Sequence, residues 1–325
     1  MTNDLPLRAG ATGDAVRDVQ RRLASAGIAI GGDALATYGP GTVDAIRRFQ
    51  ERRGLRVDGV CGSQTWDSLV EADQRLGDRL LYERRPMVRG DDVAELQQLL
   101  GALGFDAGRV DGIFGPNTAG ALIRFQRNAG LITYGICGPD TLRALHRVAR
   151  EEGALTIGSV REVERLRESP RRLDGRLLAV GETGGLGALA TALGRALVDE
   201  GAIVTVLHHP DESVQASEAN AFSAEAFIGL AAREQRGLTA AYYAAGTFVS
   251  PGGQRLAGLI IDEAAEALGP AEPARGMRLP VLRETRMPAV VVECGPPRGV
   301  VEHLPELVET LRRAVRRWAT LPVDP

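Results

Sequence analysis

Few side chains in this chain are suited to chemistry, and their spacing limits what each can do. The four histidines are His146, His208, His209 and His303; the three cysteines are Cys61, Cys137 and Cys294. An imidazole can ligate a metal or move a proton, and a thiolate can attack an electrophile. His208 and His209 follow the apolar run AIVTVL (202–207). At a strand end such neighbours face opposite ways, so at most one enters any pocket. His146 and His303 suit surface or cap positions. Glu293 closes a second apolar run, PAVVVE (288–293), and Cys294 after it should turn into the core. A lone thiol without a placed base is a weak nucleophile. The last candidate is the glycine turn VGETGGLG (180–187), which follows a strand pattern and precedes a helical one. Gly181, Gly184 and Gly187 stand where a phosphate-cradling loop has its glycines, and Asp211 lies beyond the next strand, where a ribose would be held.

All 39 basic residues are arginine, so no mechanism can rest on a catalytic lysine. They stand against 42 acidic residues, and the net charge of −3 sets up no field for nucleic acid. No apolar run approaches the ~20 residues of a bilayer span. The opening MTNDLPLRAGATGD lacks a basic stretch followed by an apolar one, and three cysteines are too few for a disulfide framework. These features lead us to expect a cytoplasmic protein without a transmembrane segment.

Positioning the candidate groups requires regular elements, and the two halves of the chain supply different ones. In the first half, VRDVQRRLASAG (16–27) aligns with VAELQQLLGALG (93–104), and FQERRGLRVDGVCGSQTWDSL (49–69) with FQRNAGLITYGICGPDTLRAL (125–145). A shared period over so many positions marks a duplicated module. Within each copy a Gly-x-x-Thr signature recurs, at 39–42, 62–65, 115–118 and 138–141, and should open a helix each time. The predicted helices are 14–26, 40–53, 64–72, 91–103, 116–129 and 139–150, with Leu96, Leu99, Leu100 and Leu103 facing the core.

This pattern resembles the peptidoglycan-binding-domain-1-like family of three-helix modules, which recognise cell-wall peptides or glycans. The hallmark residues are Asp58, Gly59, Gly62 and Thr65 in module 1 (1–75). In module 2 (76–152) they are Asp111, Gly112, Gly115, Thr118, Phe125, Gln126, Gly138 and Thr141. Module 1 departs at Leu35 and Ala36, which stand where module 2 has Asp111 and Gly112. Most hallmark residues should build turns and core, and Cys61 and Cys137 should be small core residues.

A charged stretch, REVERLRESPRRLDG (161–175), reads as a short exposed helix within a linker, 153–175. From 176 to 325, strand and helix signals alternate, implying an α/β domain with a mostly parallel sheet. The fold class is therefore multidomain, two all-α three-helix modules followed by that α/β domain.

Two families fit the second half. One is a dinucleotide-binding domain built on GETGGLG. The Tyr-x-x-x-Lys of short-chain dehydrogenases is excluded, because Tyr242-Tyr243 is followed by AAGT. The other matches far more of the chain. PVLRETRMPAVVVECG (280–295), SEANAFSAEAFIGLAA (217–232), LTAAYYAAG and SPGGQRLAGLI resemble, in order and spacing, the zinc-dependent N-acetylmuramoyl-L-alanine amidases. That resemblance implies a Zn²⁺ site on His, Glu and His with a further Glu as general base. It places the general base at Glu293 and the two histidine positions at Thr183 and Ala231; the ligand Glu has no residue to match. GETGG then reads as a remodelled metal turn, without cofactor.

The layout also resembles the actinobacterial cytoplasmic pseudo-amidases that regulate peptidoglycan synthesis. It implies a scaffold whose partner is a cytoplasmic precursor enzyme or the lipid-linked precursor flippase, with peptidoglycan fragments or lipid-linked precursor as ligands of the modules. An active cell-wall hydrolase with a relocated zinc site, a nucleotide-binding protein and an exported wall-binding protein are the alternatives.

Overall fold

A computed structural model describes residues 5–149, 162, 164, 166–245, 248–268 and 271–321. The chain divides into two compact units, Met1–Gly158 and Ser159–Pro325.

The first unit holds α1 (Asp14–Ser25), α2 (Pro40–Arg53), α3 (Ser63–Ala72), α4 (Asp91–Ala102), α5 (Pro116–Asn128) and α6 (Pro139–Ala149). Glycine precedes α2, α3 and α5 in extended backbone with no side-chain cap, and proline sits in the first turn of α2 and α5. Each module has its own core: Val16, Leu23, Ile46, Phe49 and Leu69 in the first, Leu96, Leu100, Phe114, Leu122 and Phe125 in the second. Leu99 differs from expectation. It is only half-buried, whereas Gln97, on another side of the helix, is buried.

That glutamine is one of four, and together they explain the recurring signature. Gln97 Oε1 accepts the N–H groups of Asp111 and Gly112 at 3.0 and 2.8 Å, while Nε2 donates to Ile113 O and Thr118 Oγ1 at 3.1 and 3.0 Å. Gln50 does the same to Asp58, Gly59, Val60 and Thr65. Gln126 grips Gly135, Ile136 and Thr141, and Gln20 grips Ala36, Thr37 and Thr42. Each carboxamide thus satisfies the buried backbone of a tight turn that would otherwise go unpaired. The turn needs a left-handed residue: Gly59, Gly112 and Gly135 have φ of 75°, 69° and 68°, and Ala36 adopts 62° in the same place.

The second unit contains β1 (Leu177–Glu182), α7 (Gly187–Asp199), β2 (Ile203–His208), α8 (Glu212–Ala221), β3 (Ala226–Ala232), β4 (Gly237–Ala245) and β5 (Phe248–Val249). It continues with α9 (Pro251–Leu268), β6 (Arg275–Met277), α10 (Pro280–Glu284), β7 (Ala289–Gly295), α11 (Pro297–Glu302) and α12 (Leu304–Thr320). The seven-stranded sheet runs β2-β1-β3-β7-β4-β5, with β6 also on β4. The β1–β2, β1–β3, β3–β7 and β4–β6 pairings are parallel, whereas β4 is antiparallel to β7 and β5. The sheet is therefore mixed, parallel on the side that carries the glycine turn. The strand β3 is buried on both faces up to its last residue, which is why its sequence is almost wholly apolar.

One face of the sheet, with Leu178, Val180, Ile228, Leu230, Val290 and Val292, packs against α7, α9 and α12. On the opposite face lie Phe227 and α8, whose Gln215 reaches Gly181; a Cβ there would meet Gln215 Oε1 at 2.0 Å and Phe227 Cζ at 2.6 Å. The stretch 153–175 is not uniformly exposed. Glu162 is buried and accepts bonds from Ser250 Oγ (2.6 Å) and Gly252 N (3.0 Å), and Leu166 and Leu173 join the core. A charge pattern reads as solvent-facing unless a carboxylate meets a helix start, as Glu162 does at α9.

Candidate functional site

The carboxyl edge of the parallel strands gathers the positions singled out in the second half. Ala231 on β3 is the register partner of Glu293 on β7, and Glu293 is opposite Thr239 on β4. Thr183 follows β1 and donates its N–H to Leu230 O at 3.4 Å, which extends the β1–β3 ladder by one step. Alternation along the strands then puts Thr183, Ala231, Glu293 and Thr239 in one row on the Phe227 face. Ala231 is buried and Glu293 half-buried. Asn220 at the end of α8 fixes the segment leading into β7: its Nδ2 donates to Glu284 O and its Oδ1 accepts from Arg286 N, both at 2.8 Å.

Sequence reasoning missed Glu182. It lies on the opposite face from Glu293, paired in register with Leu230 and His208. Its Oε2 accepts the N–H groups of Gly184 (2.8 Å) and Leu186 (3.3 Å), and Oε1 lies 3.1 Å from His208 Nδ1. Burial alone would raise this carboxyl group; its hydrogen bonds from His208, Gly184 and Leu186 outweigh that and hold it below the usual glutamate range. The Glu–Thr–Gly–Gly order was visible, but the partner is 26 residues away and meets it only through the β1–β2 register.

This arrangement weighs against the nucleotide reading. Two amides of the turn are already bonded to an internal carboxylate, whose charge repels a pyrophosphate. The close approach of Gln215 and Phe227 accounts for Gly181. Asp211, the ribose candidate, instead caps α8 by accepting Ser213 N–H at 2.8 Å.

The other candidates are dispersed. His146 and His303 are exposed, and His209 Nδ1 accepts the N–H of Asp211. Cys61, Cys137 and Cys294 are free and buried, and burial pushes each thiol up to about 12, so none is a thiolate near neutral pH. Among the hallmark residues, Thr65, Thr118, Thr141 and Gln126 are buried in the turn-gripping networks, Phe125 is core, and Gly62 and Gly115 precede helices.

The donor set does not fit zinc. Alanine has no donor atom at 231, a threonine hydroxyl at 183 is a poor one, and Glu293 is a single carboxylate. Among the described residues no group of three or more His, Cys, Asp or Glu is arranged to hold a metal, and no helix is long and apolar enough to cross a membrane.

Duplicated helical modules ahead of an α/β sheet with this edge define a peptidoglycan-associated, amidase-like protein. The family described as "Putative peptidoglycan binding domain" matches residues 12–69 and 89–145. Along 284 residues the chain is 34% identical to N-acetylmuramoyl-L-alanine amidase CwlM of Mycobacterium tuberculosis, covering 77% of this chain and 70% of that protein. The chain belongs to this N-acetylmuramoyl-L-alanine amidase family. It is also 34% identical over 148 residues to the amidase CwlL of Bacillus licheniformis, covering 38% of this chain and 41% of that relative. Among solved structures, the amidase Ami1 of Mycobacterium smegmatis superposes on 46% of this chain and 98% of its own, with TM-score 0.39 and 14% identity.

Proposed function

We propose that the chain is a catalytically inactive member of its family, acting in the cytoplasm as a scaffold that regulates peptidoglycan synthesis. The observation that carries this reading is Ala231. It faces Glu293 across the β3–β7 ladder, where the family resemblance expects a histidine, and offers a metal nothing to bind. Three ligands and an open position are what amide hydrolysis by zinc requires. A row of Thr183, Ala231 and Glu293 supplies neither the ligands nor an activated water, so the fold serves to bind. The proposed partner is a cytoplasmic precursor enzyme or the lipid-linked precursor flippase, with the modules contacting peptidoglycan fragments or lipid-linked precursor.

Zinc content of the untagged protein, purified from zinc-supplemented medium, tests this directly. The expected result is about 0.1 zinc per chain or less after dialysis, together with no release of peptide from purified sacculi whether or not zinc is added. Near one zinc per chain, or peptide release that Glu293→Ala abolishes, overturns the proposal.

A further inference from the structure

The second unit has a cavity of about 520 Å³ on the face of the sheet opposite Glu293, between the ends of β4 and β7 and the helices α9, α11 and α12. Its floor is apolar: Leu238, Ala264, Cys294 and Leu307 line it, and all four are buried. The mouth is charged. Arg236 and His303 are exposed there, and Arg236 has no carboxylate partner among the described residues. Arg298 and Glu302 also line it, but they form an exposed pair with each other at 3.2 Å. Glu306 lies in the first turn of α12, and that helix begins at His303 without any side-chain cap. The start of this 17-residue helix thus lines the same mouth as Arg236.

We propose that this cavity binds an anionic amphiphile, a free carboxylate carrying an aliphatic body. The apolar floor takes the body, since removing that surface from water is favourable. The carboxylate sits at the mouth, where Arg236 supplies its counter-charge. Glu306 narrows the choice rather than opposing it, because its charge falls on the helix end and leaves Arg236 for the ligand. The site is separate from the row containing Glu293, since Glu293 and Cys294 project to opposite faces of β7. It stands whether or not the chain is an active amidase.

Titration of the full chain with sodium dodecanoate below its micelle concentration, followed by calorimetry, provides the test. The expected result is saturable binding with one site per chain. Ala267→Trp, at an exposed position on the cavity wall, should abolish binding, and Arg236→Glu should weaken it by about tenfold or more. Dodecyltrimethylammonium, with the same body and the opposite charge, should bind at least about tenfold more weakly. Circular dichroism of both variants confirms that they are folded. Equal binding in Ala267→Trp, equal affinity for the cationic amphiphile, or binding only to anionic vesicles and not to free dodecanoate overturns the proposal.

Discussion

At the scale of single residues, Ala36 is the clearest departure from the pattern around it. Three equivalent turns use glycine at a left-handed angle, and Ala36 holds φ 62° with a Cβ that disfavours it. Ala36→Gly should stabilise the first module by roughly 0.5–1 kcal/mol, the strain relieved being partly offset by a more flexible unfolded chain; urea denaturation of wild type and variant checks this. Glu182 gives a prediction with a sign. Its carboxyl is held below its unfolded value, so its contribution is full above the ordinary glutamate range and is lost as pH falls through the native value. Glu182→Gln should lower thermal stability at pH 7 and flatten its decline from about pH 5 downward, as read by melting temperature across pH. The hallmark glycines and threonines were legible in the sequence because each signature is contiguous. Glu182 was not, because its meaning depends on a neighbour supplied by another strand.

Among the elements, the helices of the modules were readable nearly to the residue, since glycine and proline mark where each begins. The helix α8 was missed: ESVQASEANA has only alanine and one valine to show a buried stripe, and its buried face includes Glu212 and Gln215. The pattern VEHLPELVETLRRAVRRWA (301–319) reads as one long closing helix, but the chain breaks at His303, so that α11 and α12 are separate. What ties elements together is polar and buried, which periodicity does not reveal. Gln97→Ala should therefore cost about 3 kcal/mol or more, because it strands two N–H groups and a carbonyl inside the turn. Gln97→Glu should be nearly as damaging, since a carboxylate cannot donate to Ile113 O or Thr118 Oγ1. Denaturant titration of both variants separates a lost network from a lost shape.

Across the whole molecule, the family could be read from the sequence while the ligands of its modules could not. The networks that define the modules are internal, so any wall polymer must meet other residues. Tyr134 is the notable one. It stands where module 1 has Asp58 in the aligned loop, yet it is 70% exposed, with Ile132 beside it at 65%. If the modules contact peptidoglycan as proposed, Tyr134→Ala should reduce retention on purified sacculi about fivefold or more, given the energy an exposed ring contributes in stacking. Co-sedimentation at fixed salt checks it, with Thr141→Ser as a control that leaves the surface unchanged.

The glutamine-centred turns carry a consequence for descent. Each carboxamide reaches its turn across 22 residues or fewer, within its own module. A copied segment therefore brings its own folding instructions with it and can tolerate drift everywhere else. Leu35 and Tyr134, both exposed, are where the copies have drifted at this position, while the glutamine beneath still takes the N–H of the next residue, Ala36 or Gly135.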